Sequence, residues 1–286
     1  MGASDPDSFL RVYFEPLQYA VFFGVLVALG VLEAVIPLGR DGGARRRRWP
    51  ANAWLTFLNI MVMGAMPVGI VAAADFAMAR GWGLLNQAVV PTLAGLAAGF
   101  VLRSLVAFAI HFAMHKVSLL WRIHRVHHTD LAMDVSTTVR FHPLEFVISM
   151  PVLLAMVVVF GLPPFALMVY ELLDAAMAVF THANVRLPER LERALQLVLV
   201  TPAMHRIHHS AWQPETDSNY GATVSWWDRL FGTYRVRPLR EAADLRLGLE
   251  ELRNRRADSL VWLLWMPFTV SAGAAPAARA AGKPAR

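Results

Sequence analysis

Residues 89–128 read VVPTLAGLAAGFVLRSLVAFAIHFAMHKVSLLWRIHRVHH and join a long apolar run to two clusters of histidine. Its first part, Val89 to Ile110, is an apolar run that is long enough to cross a bilayer as a helix. The run leads directly into His111-Phe-Ala-Met-His115, and His124-Arg-Val-His127-His128 follows. Histidines four residues apart share one face of a helix, so both imidazoles can point at one metal ion. The stretch therefore predicts a membrane helix that ends at a metal site.

The H-x-x-H-H spacing occurs a second time, at His205-Arg-Ile-His208-His209. In each copy two histidines share a helix face, while the adjacent one is rotated by about 100° and can reach a second metal ion. The three clusters supply eight imidazoles, enough for two metal ions with about four ligands each. A single histidine beside an apolar run is usually a packed residue, but three such clusters together predict a dinuclear metal site.

Four further apolar runs predict membrane helices. They are Leu17–Leu38, Trp54–Phe76, Leu144–Leu162 and Phe165–Phe180. The last two are short enough that a re-entrant hairpin also fits. The predicted fold class is all-α, an integral-membrane helical bundle of four or five spans with a cytoplasmic helical cap that carries the dinuclear metal site.

The composition agrees with a membrane protein. Hydrophobic residues make up 56% of the chain and charged residues 17%, against about 45–50% and 25% in soluble domains. For a chain with a formal charge of +6, an anionic membrane surface is a better partner than nucleic acid. The absence of cysteine excludes disulfides, iron–sulfur ligation and thiolate zinc sites, so a metal must bind histidine, carboxylate or carbonyl groups.

The distribution of arginine predicts the orientation in the membrane. The loop 39–53 contains Arg40 and the run Arg45–Arg48, and basic loops stay in the cytoplasm. The N-terminus is then outside. All ten histidines lie between His111 and His209, and this topology gathers them on the cytoplasmic face.

The spacing of the histidines does not identify the metal. Imidazole suits zinc, copper, iron and nickel, and an all-nitrogen dinuclear site in an apolar setting fits iron and O2 best. No H-E-x-x-H motif is present, so a zincin protease would lack its general base. Two alternatives stay open: a dizinc membrane hydrolase, which would act without O2 or a reductant, and a non-enzymatic metal transporter or sensor, which would place its ligands along the membrane midplane.

Residues from about 100 to 235 resemble the fatty acid hydroxylase superfamily, which includes sterol desaturases and sterol methyl oxidases. The resemblance rests on the three histidine clusters, their flanking residues and the motifs that link them. Those motifs are Thr138-Val-Arg140-Phe-His142-Pro143-Leu-Glu145, Phe180-Thr-His182-Ala-Asn184, Asn219-Tyr-Gly221 and Trp227-Asp228-Arg-Leu-Phe231-Gly-Thr-Tyr234. The chain departs from the family at Phe112 and Ser104, where members often carry arginine and an acidic residue.

The resemblance implies a diiron centre that uses O2 as co-substrate and two electrons to hydroxylate or desaturate a lipid. Zinc is possible as a substituted metal. Because the sequence contains no flavin, haem or ferredoxin module, the electrons would come from an external donor, a ferredoxin- or cytochrome b5-type reductase system. The implied organisation comprises N-terminal spans at 1–100, a catalytic domain at 101–240, an amphipathic or interfacial segment at 241–270 and a disordered tail at 271–286.

The resemblance also implies the site residues. The eight cluster histidines are the implied ligands, and His182 is an additional one. His142 is a further ligand, orients a carboxylate such as Glu145, or caps the helix that Pro143 begins.

Polar residues outside the clusters are candidates for supporting the ligands or lining a substrate cavity. Glu171 and Asp174 lie on one face of the fifth predicted span. There they line the substrate cavity, support the ligand imidazoles, or contact Arg103 between helices. Four others either fix imidazole tautomers or act as turn and cap residues. These are Asp130, Asn184, Asn219 and Asp228.

Overall fold

The computed structural model describes residues 5–39, 45–239 and 245–269. Within these ranges the chain forms helices and no β-strand, which confirms the predicted all-α class. The α-helices, numbered α1 to α12, are Pro6–Val35, Arg45–Gly64, Ile70–Ala79, Thr92–Lys116, Ser118–His128, Pro143–Phe160, Pro164–His182, Glu189–Leu195, Pro202–His208, Gln213–Thr216, Trp226–Leu230 and Leu260–Thr269. Short 3-10 turns lie at Leu84–Gln87, Val135–Val139, Glu250–Leu252 and Arg255–Asp258.

Among the described residues, four helices are long and apolar enough to cross a membrane: α1, α4, α6 and α7. This number agrees with the predicted four or five spans. Helices α6 and α7 contain 18 and 19 residues, and at 1.5 Å per residue each is about 27–29 Å long, close to the hydrocarbon thickness of a bilayer. Gly161 ends α6 in the left-handed conformation, with a φ of 67°, and Pro164 begins α7.

The predicted second span, Trp54–Phe76, is wrong as one continuous helix. Helix α2 ends at Gly64 and α3 begins at Ile70, with Pro67 between them. Proline lacks a backbone N–H and disfavours helical geometry in the residue before it, so the chain breaks here although it stays apolar.

Together, α2 and α3 still connect the two ends of the bundle. At the start of α2, Arg48 forms an ion pair with Asp130, which follows the second histidine cluster. After α3, Gly83 packs so closely against Gly161 at the end of α6 that a Cβ atom on Gly83 would overlap the Gly161 backbone. The histidines therefore lie at one end of the bundle. That end also contains the C-termini of α1, α4 and α7 and the N-terminus of α6.

Arg48 belongs to the basic run that predicts the orientation, but its side chain is buried in the protein. Its guanidinium donates to Asp130 at 2.8 Å and to Asp134 at 2.6 Å, and all three side chains are at most 3% exposed. Burial acts against the charged carboxylate of Asp134, but Arg48 and the hydrogen bonds from Ser136 and Trp49 outweigh it and lower the pKa of Asp134. This network fastens α2 to the segment between α5 and α6.

The predicted interfacial segment at 241–270 contains α12. Leu263 and Met266 of this helix are buried in a cluster with Leu55 of α2 and Trp121 of α5. Trp265 on the opposite face is exposed. The predicted disordered tail, 271–286, lies outside the described residues.

Candidate metal centre

Nine histidines from four helices meet at one end of the bundle. Helix α4 contributes its last turns, α5 its C-terminal half, α7 its last residue, and α9 its histidines together with the residue after it. They form two groups, in each of which the possible ligand atoms lie within 4.8 Å of one another. The five-histidine group is His111, His115, His124, His128 and His208, and the four-histidine group is His127, His182, His205 and His209.

The helical rotation of adjacent residues divides each H-x-x-H-H cluster between the groups. His128 belongs to the five-histidine group and His127 to the four-histidine group; His208 and His209 are divided in the same way. The groups are direct neighbours, since the rings of His128 and His209 stack with their centroids 4.5 Å apart. This arrangement fits two adjacent metal ions.

The ring nitrogens in the four-histidine group have the spacing of ligands on one ion. The Nε2 atom of His182 lies 3.1 Å from Nε2 of His127 and 3.0 Å from Nε2 of His205. Two nitrogens at about 2.0–2.1 Å from one ion lie about 2.9–3.4 Å apart for octahedral to tetrahedral angles. The distances between these nitrogens therefore match those expected for ligands of one ion.

Several buried ring nitrogens of both groups have no partner among the described residues. In the five-histidine group these include Nε2 of His111, His115 and His208, and in the four-histidine group Nε2 of His209. A buried polar atom without a partner is costly. The donor set therefore fits bound metal, which would coordinate these nitrogens.

In four of the histidines, the Nδ1 atom donates a hydrogen bond to a nearby acceptor. His111, His182 and His208 donate from Nδ1 to the backbone carbonyls of Tyr220, Ala178 and Ser218, each at 2.7 Å. His124 donates to the Glu145 carboxylate at 3.0 Å. A proton held on Nδ1 leaves the lone pair on Nε2, which is the tautomer that binds metal through Nε2.

Five of the grouped histidines outside the membrane spans are in the neutral form at pH 7. Burial, and then the neighbouring imidazoles, lower the pKa of each of them well below 6.5. We call these five the cap histidines: His127, His128, His205, His208 and His209. Neutral imidazole is the form that binds metal, so no proton has to leave them at pH 7.

The start of α9 positions the last histidine cluster. The Thr201 hydroxyl accepts from the backbone N–H of Met204, and Pro202 occupies the first helical position. Both features are typical of a helix N-terminus. The short helix turns His205 and His209 toward one group and His208 toward the other.

Residues 96–233 match the model of the fatty acid hydroxylase family. This part of the chain, just under half of its length, is similar to fatty acid hydroxylase domains. All nine grouped histidines lie inside the matched region.

The chain is similar to curated lipid-modifying enzymes. It is 29% identical to an ornithine lipid hydroxylase of Rhizobium tropici over 51% of this chain and 44% of the relative. It is 28% identical to the human alkylglycerol monooxygenase over 44% and 27%, and 27% identical to a Delta(7)-sterol 5(6)-desaturase of Aspergillus fumigatus over 51% and 41%. The matches thus cover less than half the length of these relatives. No solved structure matches the chain.

The structure places the other predicted site residues at different distances from the histidines. Of the seven polar candidates, Glu145 contacts a grouped histidine directly. Asn184 instead bonds Gly39 through both its amide oxygen and its amide nitrogen, at 2.8 Å each, and so ties the end of α7 to the end of α1. Asp130 is engaged by Arg48 and by the Thr137 hydroxyl.

Asn219 and Asp228 support the five-histidine group through the loop that presents its carbonyl acceptors. Asn219 lies between Ser218 and Tyr220 with a left-handed φ of 55°, and its amide donates to the carbonyls of Met204 and Arg235. Asp228 accepts from the backbone N–H of Tyr220 at 2.8 Å. These contacts hold the loop in the conformation that directs two carbonyls at His208 and His111.

Glu171 and Asp174 form an interhelical contact. Glu171 accepts from Arg103 at 2.7 Å, while Asp174 lies 3.8 Å from the same guanidinium and accepts from the Thr223 hydroxyl at 2.8 Å. Of the roles predicted for this pair, the structure favours the contact between α4 and α7.

His142 lies in neither group. Its Nδ1 accepts from the backbone N–H of Leu144 at 3.2 Å, which caps α6, and its Nε2 bonds the Leu264 carbonyl at 3.2 Å. Glu145 bonds His124 instead of His142. Of the three predicted roles, the cap is the one that the geometry favours.

The carbonyls of Ala178, Ser218 and Tyr220 are functional groups that sequence reasoning missed. Every residue has a carbonyl, so side-chain identity carries no signal for them. The left-handed conformation of Asn219 offers an indirect signal, because asparagine adopts that conformation more readily than most residues.

Proposed function

We propose that the chain holds two iron ions in its two histidine groups and uses O2 and two external electrons to hydroxylate or desaturate a lipid. The observation that carries the proposal is the pair of adjacent, buried groups made of histidine alone. The names of the relatives, a lipid hydroxylase, a monooxygenase and a sterol desaturase, support the same reaction class.

The iron ions would supply the oxidising power, and the protein supplies position and a site poor in water. The ring contact between His127 and Phe141, with centroids 4.2 Å apart and nearly parallel planes, covers one side of the four-histidine group. Trp121 lies against His115 and His128 in the five-histidine group. These side chains exclude water and fix the imidazole planes.

The composition of the two histidine groups supports an oxidase over a dizinc hydrolase. A hydrolase needs a general base that reaches the attacking water, and neither group includes a carboxylate among the described residues. Glu145 accepts the His124 proton through both of its oxygens, and Asp217 lies 3.8 Å from Nδ1 of His115. Glu145 is therefore engaged with a ligand histidine. It acts as a positioning residue in this account.

The site faces the cytoplasm in our proposal, and the N-terminus lies outside. The run Arg45–Arg48 is at the histidine end of the bundle, because Arg48 bonds Asp130 and Arg45 bonds Glu33 at the end of α1. Basic residues at one end of a bundle favour the cytoplasmic side. A cytoplasmic donor, a ferredoxin- or cytochrome b5-type system, would then reach the site.

The test is incorporation of isotopically labelled O2. The iron-loaded protein in lipid nanodiscs is supplied with a chemical reductant and labelled O2, and the lipids are analysed by mass spectrometry. We expect a labelled alcohol, or an alkene formed only when O2 is present, and neither from a His208→Ala variant. A lipid product that forms equally well without O2 and reductant would overturn the proposal in favour of hydrolysis.

A further inference from the structure

Arg206 is a positively charged residue that lacks a charge partner among the described residues. It follows His205 in α9, and its side chain is only partly exposed. Burial acts against its charge, and no described carboxylate offsets that cost. The adjacent four-histidine group offers no negative charge either, since it consists of histidine alone. A partly buried guanidinium in such surroundings favours the binding of an anion.

A second arginine reaches the same place, which is the turn formed by Leu38 and Gly39 after α1. We call it the α1 turn. The Arg206 guanidinium lies so close to Gly39 that a Cβ atom on this glycine would overlap it. The side chain of Arg186 donates to the Leu38 carbonyl at 3.4 Å. The Arg186 backbone N–H also donates to the Ile36 carbonyl at 2.8 Å, which fixes the turn. Two guanidinium groups therefore meet at the α1 turn.

The α1 turn lies at the level of a membrane surface. Helix α1 is a candidate span that ends at Val35, so the turn begins three residues beyond the end of the span, where lipid headgroups lie. The end of the span is apolar and open to lipid, because Leu32, Val35 and Ile36 are all exposed. Positive charge next to an exposed apolar surface matches a molecule with an anionic head and hydrocarbon chains.

We propose that Arg206 and Arg186 form a binding site for the phosphate group of an anionic membrane lipid at the α1 turn. The phosphate oxygens accept hydrogen bonds from the two guanidinium groups, and the lipid chains lie along the exposed end of α1. The site is distinct from the two histidine groups, and the inference does not depend on the proposed oxidation. Free phosphate offers the same chemistry to the arginines, so the test separates it from the lipid.

Native mass spectrometry of the full-length protein in a neutral detergent tests the site. Phosphatidylglycerol is the probe, diacylglycerol with the same chains is the control without phosphate, and inorganic phosphate is the competitor. Arg206→Met should weaken the binding of phosphatidylglycerol about tenfold or more, the factor expected for the loss of one charge-assisted hydrogen bond. Arg190→Met is the matched control and should leave the binding unchanged, because Arg190 is an exposed arginine in the first turn of α8.

Gly39→Ala is the second variant if Arg206→Met disturbs folding or metal binding. It keeps both arginines and every histidine but adds the Cβ atom that overlaps the guanidinium, so it should also weaken lipid binding. Binding that neither variant weakens, or that Arg190→Met weakens equally, would overturn the site. Diacylglycerol or inorganic phosphate that binds as tightly as phosphatidylglycerol would overturn the lipid as its ligand.

A carboxylate of the chain itself is the remaining competitor for Arg206. Asp41 comes two residues after Gly39 in the sequence and lies outside the described residues. Tighter binding of phosphatidylglycerol by Asp41→Asn would overturn the proposal, because the partner of Arg206 would then be Asp41. Unchanged binding in this variant supports the lipid phosphate as the partner.

Discussion

Replacing Glu145 with glutamine should weaken one of the two metal ions selectively. Glu145 accepts the Nδ1 proton of His124 at 3.0 and 3.1 Å, and His124 belongs to the five-histidine group. Glutamine keeps one acceptor oxygen but loses the negative charge that makes the imidazole a stronger ligand. Helix α6 keeps its cap, because His142 and not Glu145 bonds the Leu144 N–H.

The expected loss of metal affinity grows with the number of hydrogen bonds that His124 loses. Loss of a carboxylate that orients a metal-bound histidine typically lowers metal affinity about 10–100-fold, or about 1.4–2.7 kcal/mol. We expect Glu145→Gln near the lower figure and Glu145→Ala, which removes the acceptor entirely, near the upper one. Both variants also remove a first-turn carboxylate from α6, which costs about 0.3–1 kcal/mol of folding stability.

The assay is an anaerobic chelator titration of the iron-loaded protein, with metal content measured at each step. In Glu145→Gln one ion should leave at a lower chelator concentration while the other leaves as in the unmodified protein. Glu189→Gln is the matched control, because Glu189 lies in the first turn of α8 with its side chain 77% exposed and contacts no histidine. Equal weakening of both ions, or no weakening in Glu145→Ala, would refute the reasoning.

Three further predictions concern stability and the supporting loop. Arg48→Met should lower the free energy of unfolding by about 3–5 kcal/mol, because two buried carboxylates lose their partner, whereas Arg47→Met, at a side chain 58% exposed, should change the thermal midpoint little. Asn219→Ala should release metal from the five-histidine group before the four-histidine group. Alanine disfavours the left-handed φ at this position, and the substitution removes three hydrogen bonds of the asparagine side chain. Unchanged metal content would contradict this. The metal-free protein should lose stability as pH falls below 6.5, by about 1.4 kcal/mol per cap histidine for each pH unit, because burial keeps the folded-state pKa below the unfolded value and the unfolded chain then binds more protons. A thermal midpoint independent of pH between 7.5 and 5.5 would contradict it.

The division of histidines between two groups could be predicted from sequence because it depends on local helix geometry. Adjacent residues differ by about 100° on any helix, so His127 and His128 had to point in different directions. The structure places them in different groups. His182 follows a membrane span, and its position in the four-histidine group agrees with the family resemblance.

The contacts that orient the imidazoles could not be predicted, because they depend on tertiary structure. The carbonyls of Ser218 and Tyr220 reach His208 and His111 only after the loop has folded around Asn219. The same reason applies to Glu171 and Asp174, for which the sequence left two roles open and the position of Arg103 decided.

Hydropathy alone also concealed the break in the second predicted span. The run stays apolar through Pro67. Hydropathy predicts which residues can lie in lipid, but it does not predict whether the helix is continuous across a proline. The same limitation applies to Arg48: an arginine run before an apolar stretch indicates orientation, but not that one member of the run turns inward to Asp130 and Asp134.

In our proposal the two histidine groups hold two iron ions that react with O2. The most direct test is metal analysis with Mössbauer spectroscopy of protein produced with isotopically labelled iron and purified without O2. We expect about two irons per chain, because the groups provide five and four imidazoles and each can hold one ion. Both irons should be oxidised when O2 is admitted. Two zinc ions that persist after growth in excess iron and do not respond to O2, or a folded protein without metal, would contradict it.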